Sequence, residues 1–291
     1  DEHSAGESTY RDELGDVVQD LIDRKIALED DGALVVKCDG IKEPTIIRKR
    51  DGGYLYATTD MAAIKRRVEK FGGDIVVYCV DSRQSLHFKQ VFAAAKKAGY
   101  AKTRGGQDAT LVHAMFGSVM GEDGKPLKSR SGENLNLSDL LDEAVSRAEA
   151  TLTERSPDIT GNERKQIAES VAMAAVKYAD LSIERIKDYI FSFDRMLAFE
   201  GDTGPYLLYA LVRIKSIFRK AQDAGIDTSG LDGASFDLRD PAEKALALKL
   251  LRYPSVVEGA GLNHEPNRLC AFAYELASGF SSFFDQCPVL K

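Results

Sequence analysis

Cysteine is scarce in this chain and is never spaced for a metal. Cys38, Cys79, Cys270 and Cys287 form no CxxC pair, and two of them lie in apolar runs, where a thiol behaves as a small hydrophobe. They read as reduced cytosolic thiols. The four histidines, His3, His87, His113 and His264, include no HExxH pair and no His–Cys cluster, so no protein-held metal is expected. Neither a Gly-x-Gly-x-x-Gly run nor a Walker loop is present, which removes dinucleotide and P-loop readings. No uncharged apolar stretch approaches the roughly 20 residues of a membrane span, and no secretory leader is read ahead of the first helix. There is no internal repeat. The chain opens on DEHSAGES without an initiating Met and is read as a processed or truncated piece.

What is present is an ordinary globular composition. At 291 residues the chain can bury a sizeable core in one large or two smaller domains. Its net charge of -7 weighs against nucleic-acid binding, but phosphates are met by local basic stripes rather than by net charge.

The organising stretch is Asp51 to Gln90. Two short strands, Tyr54–Ala57 and Ile75–Val80, are each predicted to end in a small polar cluster and turn into an amphipathic helix, a βαβα unit. In the first helix Met61, Ile64, Val68 and Phe71 recur at helical spacing, Thr58 or Thr59 is placed to cap the start, and Gly72 to close the end. In the second, Asp81 and Ser82 cap, Phe88, Val91, Phe92 and Ala95 make the buried face, and Gly99 stops the helix. A third strand, Thr110–Phe116, runs into GSVMGEDGKPLKSRSGEN. Parallel strands joined this way form an open sheet whose ligands sit beyond the strands' carboxyl ends. Three polar clusters are then expected to share one crevice: Tyr56 to Asp60, Asp81 to Gln84, and the basic loop from Gly121 to Gly132. A carboxylate beside a phosphate-seeking loop points to a cationic substrate reacting with a nucleotide.

Upstream, Leu14, Val17, Val18, Leu21, Ile22 and Ile26 predict an amphipathic helix over 11–28, followed by strands Leu34–Cys38 and Thr45–Arg48 pairing at the edge of the sheet. Downstream, Ser138 is predicted to cap a helix to about Thr153. From Arg164 nearly everything reads as helix: Arg164–Ala179, Pro205–Ala224, Pro241–Arg252 and Asn267–Cys287, with a polar loop at Gly225–Asp240. Composition shifts from α/β to all-α near residue 150, giving expected domains 1–150 and 151–291.

Spacing alone leaves alternatives open. Asp60 also reads as a complement to its helix dipole with Tyr56 in the core, Gln84 as a solvated part of a capping turn, and the Lys-rich loop as a solvated basic turn. The segments DGGYLYATTDMAAI, VVYCVDSRQSLHFKQVF, MFGSVMGEDGKPLKSRSGE, AVKYADLSIERIKDYIFSFDRML and FEGDTGPYLLYALVRI add a stronger signal. Together, and in order from about Glu7 to the end, they closely resemble arginyl-tRNA synthetases, which are class I enzymes.

The resemblance implies a Rossmann-like, parallel α/β half of a class I catalytic domain over 1–150, then an all-α bundle of anticodon-binding type over 151–291, its last helices expected beyond Lys291. It implies that Tyr56, Asp60 and Gln84 hold the substrate arginine. A guanidinium is a planar fork of donors, and a carboxylate accepts two of its hydrogen bonds side by side, the role given to Asp60. KSRSG stands in the place of the family's KMSKS signature and departs from it, lacking the Met and carrying Arg130 and Gly132. Lys128, then Lys125, are the candidate catalytic cations that neutralise charge on a leaving pyrophosphate, and Arg83 is left unassigned. His113, Phe116 and Met120 are implied to lie against the adenine of ATP, with Lys128 and Ser129 also at the nucleotide. Arg213, Lys215, Arg219 and Lys220, opposite Leu208, Leu211, Ile214 and Phe218, are implied to meet tRNA phosphates, although such a stripe also reads as a solvated face.

The family's His-Ile-Gly-His signature is absent from these residues. The chain is therefore expected to be the carboxyl-terminal part of an arginine–tRNA ligase, inactive alone. The rivals are a class I ligase for another amino acid and a non-catalytic tRNA-binding fragment. Implied partners are L-arginine, ATP entering with Mg2+, and tRNA(Arg), in a cytoplasmic, monomeric enzyme with no membrane association.

Overall fold

The computed structural model describes residues 5–121, 123–125, 136–231, 233, 235 and 237–290. The chain divides into two compact units at Phe116/Gly117.

The first unit opens with a 3-10 turn, Glu7–Glu13, that runs into α1 (Leu14–Asp23). Leu14, Val17, Val18 and Leu21 share one face at three- and four-residue spacing, and all are buried. The predicted helix is cut short because Lys25 takes a left-handed φ of 54°. β1 (Leu28–Asp30), β2 (Ala33–Val36) and β3 (Thr45–Arg48) then form an antiparallel sheet in that order. This corrects the expected edge pairing: the strands make a sheet of their own, separate from the parallel pair. β1 itself was not predicted, although Asp31 and Gly32, at φ 50° and 75°, supply the Asp-Gly geometry of a tight hairpin.

The predicted strand at Tyr54–Ala57 is instead the entry to a helix, α2 (Tyr56–Lys65). Gly52 takes φ 86°, and the Gly53 N–H donates to Asp51 Oδ1 at 2.9 Å. The chain turns so sharply there that Tyr54 makes a single bridge to Arg48 before the helix begins. Thr58 does not cap; its fully buried hydroxyl donates to the Ile47 carbonyl and ties α2 to β3. Beyond Lys65 the helix widens into a π-helical turn, Arg66–Lys70. The widening changes which residues face inward, so Val68 stays buried while Phe71, predicted inside, is 50% exposed. Gly72, at φ 70°, closes the helix as expected.

β4 (Ile75–Tyr78) and β5 (Thr110–His113) pair in parallel, Tyr78 opposite His113, with α3 (Ser85–Lys97) as the crossover. Phe88, Val91, Ala94 and Ala95 of α3 pack with Ala57, Met61, Ala62 and Ile64 of α2 and with the apolar face of α1 in one core. Phe92 is partly buried against it.

In the second unit β6 (Val119–Met120) pairs in parallel with β7 (Tyr189–Ile190). The Ser118 N–H donates to Asp188 Oδ1 at 2.6 Å. A Cβ on Gly117 would lie 2.6 Å from the Lys187 carbonyl, so only glycine fits there. α4 (Leu137–Arg155) and α5 (Gly161–Leu181) approach through small residues, Ala144 and Ala148 against Ala168, Ala172 and Ala175. Asn136 rather than Ser138 precedes α4, and Ser138 lies inside its first turn. The connection holding DYIFSFDRM contains β7 and a short α6 (Phe193–Met196). Then follow α7 (Gly204–Asp223), capped by Thr203, and α8 (Pro241–Leu251), held by an Asp240–Glu243 capping box. α9 (Tyr253–Asn263) was not predicted, and α10 (Asn267–Gln286) was.

Replacing Met61 by Ala should destabilise the first unit by about 2–5 kcal/mol, the cost of a large-to-small change in a filled core. Phe71→Ala should cost no more than about 1 kcal/mol. Urea denaturation of both variants checks this, and an equal loss at Phe71 would restore the predicted inward face.

Candidate functional site

Tyr56 stands in the first turn of α2 and Asp60 one turn later, so the two share a face. Tyr56 is 67% exposed. Asp60 is half-buried, and its Oδ2 lies 2.7 Å from His87 Nε2 on the first turn of α3. Gln84 sits three residues before His87, in the 3-10 turn Ser82–Gln84 that leads into α3. The side chains of Tyr56 and Gln84 form no hydrogen bond with any described residue. The structure therefore joins Asp60 to the segment that carries Gln84, through a histidine.

Two further features set the local electrostatics. Tyr78, on β4, is buried, which pushes its phenol up to about 12; Arg67 opposes this and the Asp60 charge adds to it. It stays a neutral hydroxyl and accepts a hydrogen bond from Arg67 at 2.7 Å. Asp81 caps the 3-10 turn ahead of α3 rather than α3 itself, and Arg83 closes on it as a fork. The Arg83 backbone N–H and Nε donate to Oδ1 at 2.8 and 2.9 Å, and a terminal nitrogen donates to Oδ2 at 2.8 Å. These donors, the side-chain ones first, hold the Asp81 carboxyl down at about 2.

His113 ends β5. Its Nε2 is 2.9 Å from the Val80 carbonyl and its ring 4.7 Å from that of Phe88. It borders an open depression of about 500 Å³ with Leu86, Phe92, Leu111 and Met115. Phe116 is exposed, and its carbonyl accepts from the Ser82 N–H at 3.0 Å. Met120 lies in β6 of the second unit. Lys125 is exposed at the end of a turn in which the Gly121 N–H donates to the Lys125 carbonyl at 2.7 Å. Lys128 and Ser129 lie outside the described residues.

On α7, Arg213 is drawn into the helical packing, 3.3 Å from Asp285 and with its guanidinium 4.3 Å from the centroid of Phe284. Lys215, Arg219 and Lys220 are exposed. Leu211 and Phe218 are exposed too, and Phe218 lines an open surface depression together with Lys215 and Arg219. The predicted separation into a charged face and an opposite buried face is thus corrected: the stripe mixes cations with apolar side chains. Among the described residues no group of three or more His, Cys, Asp or Glu side chains is placed to hold a metal. No described helix is long and apolar enough to cross a membrane.

Comparison with known proteins decides the family. The profile described as tRNA synthetases class I (R), catalytic domain, matches residues 2–193. The chain belongs to the class I arginyl-tRNA synthetase family. A second profile, the DALR anticodon binding domain, matches residues 207–291. The arginine–tRNA ligase of Thermobifida fusca is 48% identical over all of this chain and 50% of its own length, and that of Vibrio vulnificus 45% identical over 98% and 49%. The Plasmodium falciparum arginyl-tRNA synthetase structure aligns with a TM-score of 0.83 at 30% identity, covering 100% of this chain and 48% of that one. The Thermus thermophilus arginyl-tRNA synthetase, at TM-score 0.72 and 23% identity, supports the fold. The chain spans about half the length of the curated relatives it matches.

Within this family assignment, His87 is the residue that sequence reasoning passed over. It lies inside a segment that carries the resemblance, VVYCVDSRQSLHFKQVF, but its partner is 27 positions upstream, and no local spacing announces such a contact. Arg83, unassigned from the sequence, pairs with Asp81 two residues away.

The Asp81 group has a checkable pH behaviour. Its folded-state pKa lies below the ordinary 3.8, so the stability it contributes is present above pH 3.8 and is lost as pH falls towards 2. In Arg83→Ala the titration midpoint of the Asp81 carboxyl should move most of the way back to 3.8, since only the backbone donor remains. Carboxyl carbon shifts followed by NMR measure it, and an unmoved midpoint would assign the depression to something other than the guanidinium.

Proposed function

We propose that this chain carries the arginine-recognising and tRNA-recognising parts of an arginine–tRNA ligase. The whole protein joins L-arginine to ATP, which enters with Mg2+, as arginyl-adenylate. It releases pyrophosphate and passes the arginyl group to the terminal ribose of tRNA(Arg) during cytoplasmic translation. The observation that carries this reading is the family match over residues 2–193, joined by the anticodon-domain match over residues 207–291.

Asp60 accepts the guanidinium fork, with Tyr56 and Gln84 completing the contacts to the amino acid. Support comes from the geometry of α2, where Asp60 keeps one carboxylate oxygen without a described hydrogen-bond partner, and from the preference of a guanidinium for two parallel acceptors. A site built on such bonds rejects side chains that leave the carboxylate unmatched. His113, Phe116, Met120 and Ser129 serve ATP, and Lys128, with Lys125 behind it, neutralises charge as pyrophosphate leaves. The reaction needs no covalent enzyme intermediate, so the residues act by positioning and charge stabilisation. Arg213, Lys215, Arg219 and Lys220 serve tRNA phosphates, and the apolar neighbours of Lys215 suit stacking against unpaired bases.

The parallel β4–β5 pair is read as part of a larger Rossmann-like sheet. One face of β4 leaves Ile75 63% and Val77 40% exposed, whereas parallel sheets are normally covered on both faces. The division at about residue 150 separates the nucleotide-binding part from the helical, anticodon-binding part.

In the whole protein, Asp60→Asn should raise the arginine KM roughly 100-fold or more in ATP–pyrophosphate exchange, since it removes a charged acceptor from a matched fork. Undiminished exchange removes Asp60 from the site. Ile75→Asp should lower the stability of the whole protein by about 2–4 kcal/mol, as expected for a charge placed in a covered apolar face. A change of under about 0.5 kcal/mol in thermal or urea unfolding is what a solvated face would give.

A further inference from the structure

We propose that His87 is a positioning residue for arginine selection: its Nε2–H holds Oδ2 of Asp60 so that the carboxylate presents a fixed pair of acceptors to the guanidinium. This rests on the reading of Asp60 as the arginine-holding carboxylate.

The argument begins with rotation. The terminal torsion of an aspartate is broad and roughly two-fold, so a carboxylate at the edge of a helix does not by itself offer its oxygens in one plane. The bond to His87 fixes that plane. A carboxylate accepts hydrogen bonds only, so at 2.7 Å the Nε2 must carry the proton. Each oxygen has two acceptor sites. His87 takes one on Oδ2, and among the described residues Oδ1 has no hydrogen-bond partner. Three acceptor sites remain, enough for a two-point contact with a fork.

The histidine is itself held. Its ring meets that of Phe88 edge-on, 5.1 Å between centroids at 80°, and Phe88 is buried in the core. Asp81 starts the 3-10 turn whose last residue is Gln84, and α3 continues from it to His87. The segment that carries Gln84 therefore also carries the group that aims Asp60. One histidine links the two elements on which the proposed amino-acid contacts stand.

The test uses the whole enzyme in arginine-dependent ATP–pyrophosphate exchange, with Asp60→Asn as the reference for the underlying reading. His87→Ala removes a hydrogen bond to a charged group and should raise the arginine KM about 10- to 100-fold. The ATP KM should stay within about twofold and kcat within about threefold, the pattern of lost ground-state and transition-state binding. His87→Gln places an uncharged amide donor at nearly the same reach and should return the arginine KM to within about threefold of the parent. In an Asp60→Asn background, His87→Ala should add less than about twofold, because coupled residues are not additive.

If Asp60→Asn leaves the arginine KM unchanged, the reading of Asp60 falls and this proposal with it. If Asp60→Asn is severe while His87→Ala changes the arginine KM less than twofold, the proposal alone is overturned. It is overturned also if His87→Ala raises the ATP KM as much as the arginine KM. Should His87→Ala fail to fold, His87→Gln decides: a folded Gln variant within threefold upholds the positioning role, and a folded Gln variant with a tenfold or greater loss rejects it.

Discussion

The first unit depends on the burial of α2. Met61, Ala62, Ala63 and Ile64 are all enclosed, and the Thr58 hydroxyl is spent on the Ile47 carbonyl of β3. A helix held on its inner side by both packing and a buried hydrogen bond cannot rotate without emptying the core. The outer residues Tyr56 and Asp60 are thereby given fixed directions, and they need no loop to place them. The π-helical turn that follows keeps Val68 in the core and releases Phe71 to the surface. That irregularity falls beyond Lys65 and leaves the first two turns of the helix, where Tyr56 and Asp60 stand, regular.

Two aspartates in this unit differ in how fully their oxygens are engaged. Asp81 accepts from two guanidinium nitrogens and a backbone N–H, all from Arg83. Both of its oxygens are engaged, and its low pKa follows from those donors. Asp60 has one described donor, His87, and one oxygen with no described partner. That side chain is about 26% exposed, so the oxygen is open to donors from outside the described residues. Under the proposed function a guanidinium would add donors in one plane, whereas an ammonium offers a point charge without the fork.

Much of this was readable from residue order, and the misses have identifiable causes. α3 and its Gly99 stop, Asp81 as a cap, the parallel pairing of β4 with β5, and the long helices α5, α7, α8 and α10 all follow from local signals: period, caps and glycines at positive φ. The entry to α2 misled because Tyr54 and Tyr56 alternate as in a strand, while the Gly52–Gly53 turn leaves room for only one bridge. α9 escaped because YPSVVEGAGLN combines adjacent β-branched residues with two glycines, and neither supports a helical period. β1 escaped because it is three residues long, although the Asp-Gly that follows is a hairpin signal. The Asp60–His87 bond was out of reach, since it depends on tertiary packing that brings α2 and α3 together. Resemblance supplied the candidates Tyr56, Asp60 and Gln84; only coordinates supplied the hydrogen bond that joins their elements.

The same packing covers one face of the parallel pair. The core of this unit is built from α1, α2 and α3 on the covered face of β4, through Val76 and Tyr78. Strand alternation then forces Ile75 and Val77 to the other face. Two apolar, β-branched residues side by side on an open sheet are a poor solvated surface and a good contact surface. The relatives are about twice as long as this chain, and the larger sheet proposed above would cover both side chains. The alternation within four residues of β4 thus divides the strand: one face serves the core described here, and the other carries two exposed apolar side chains.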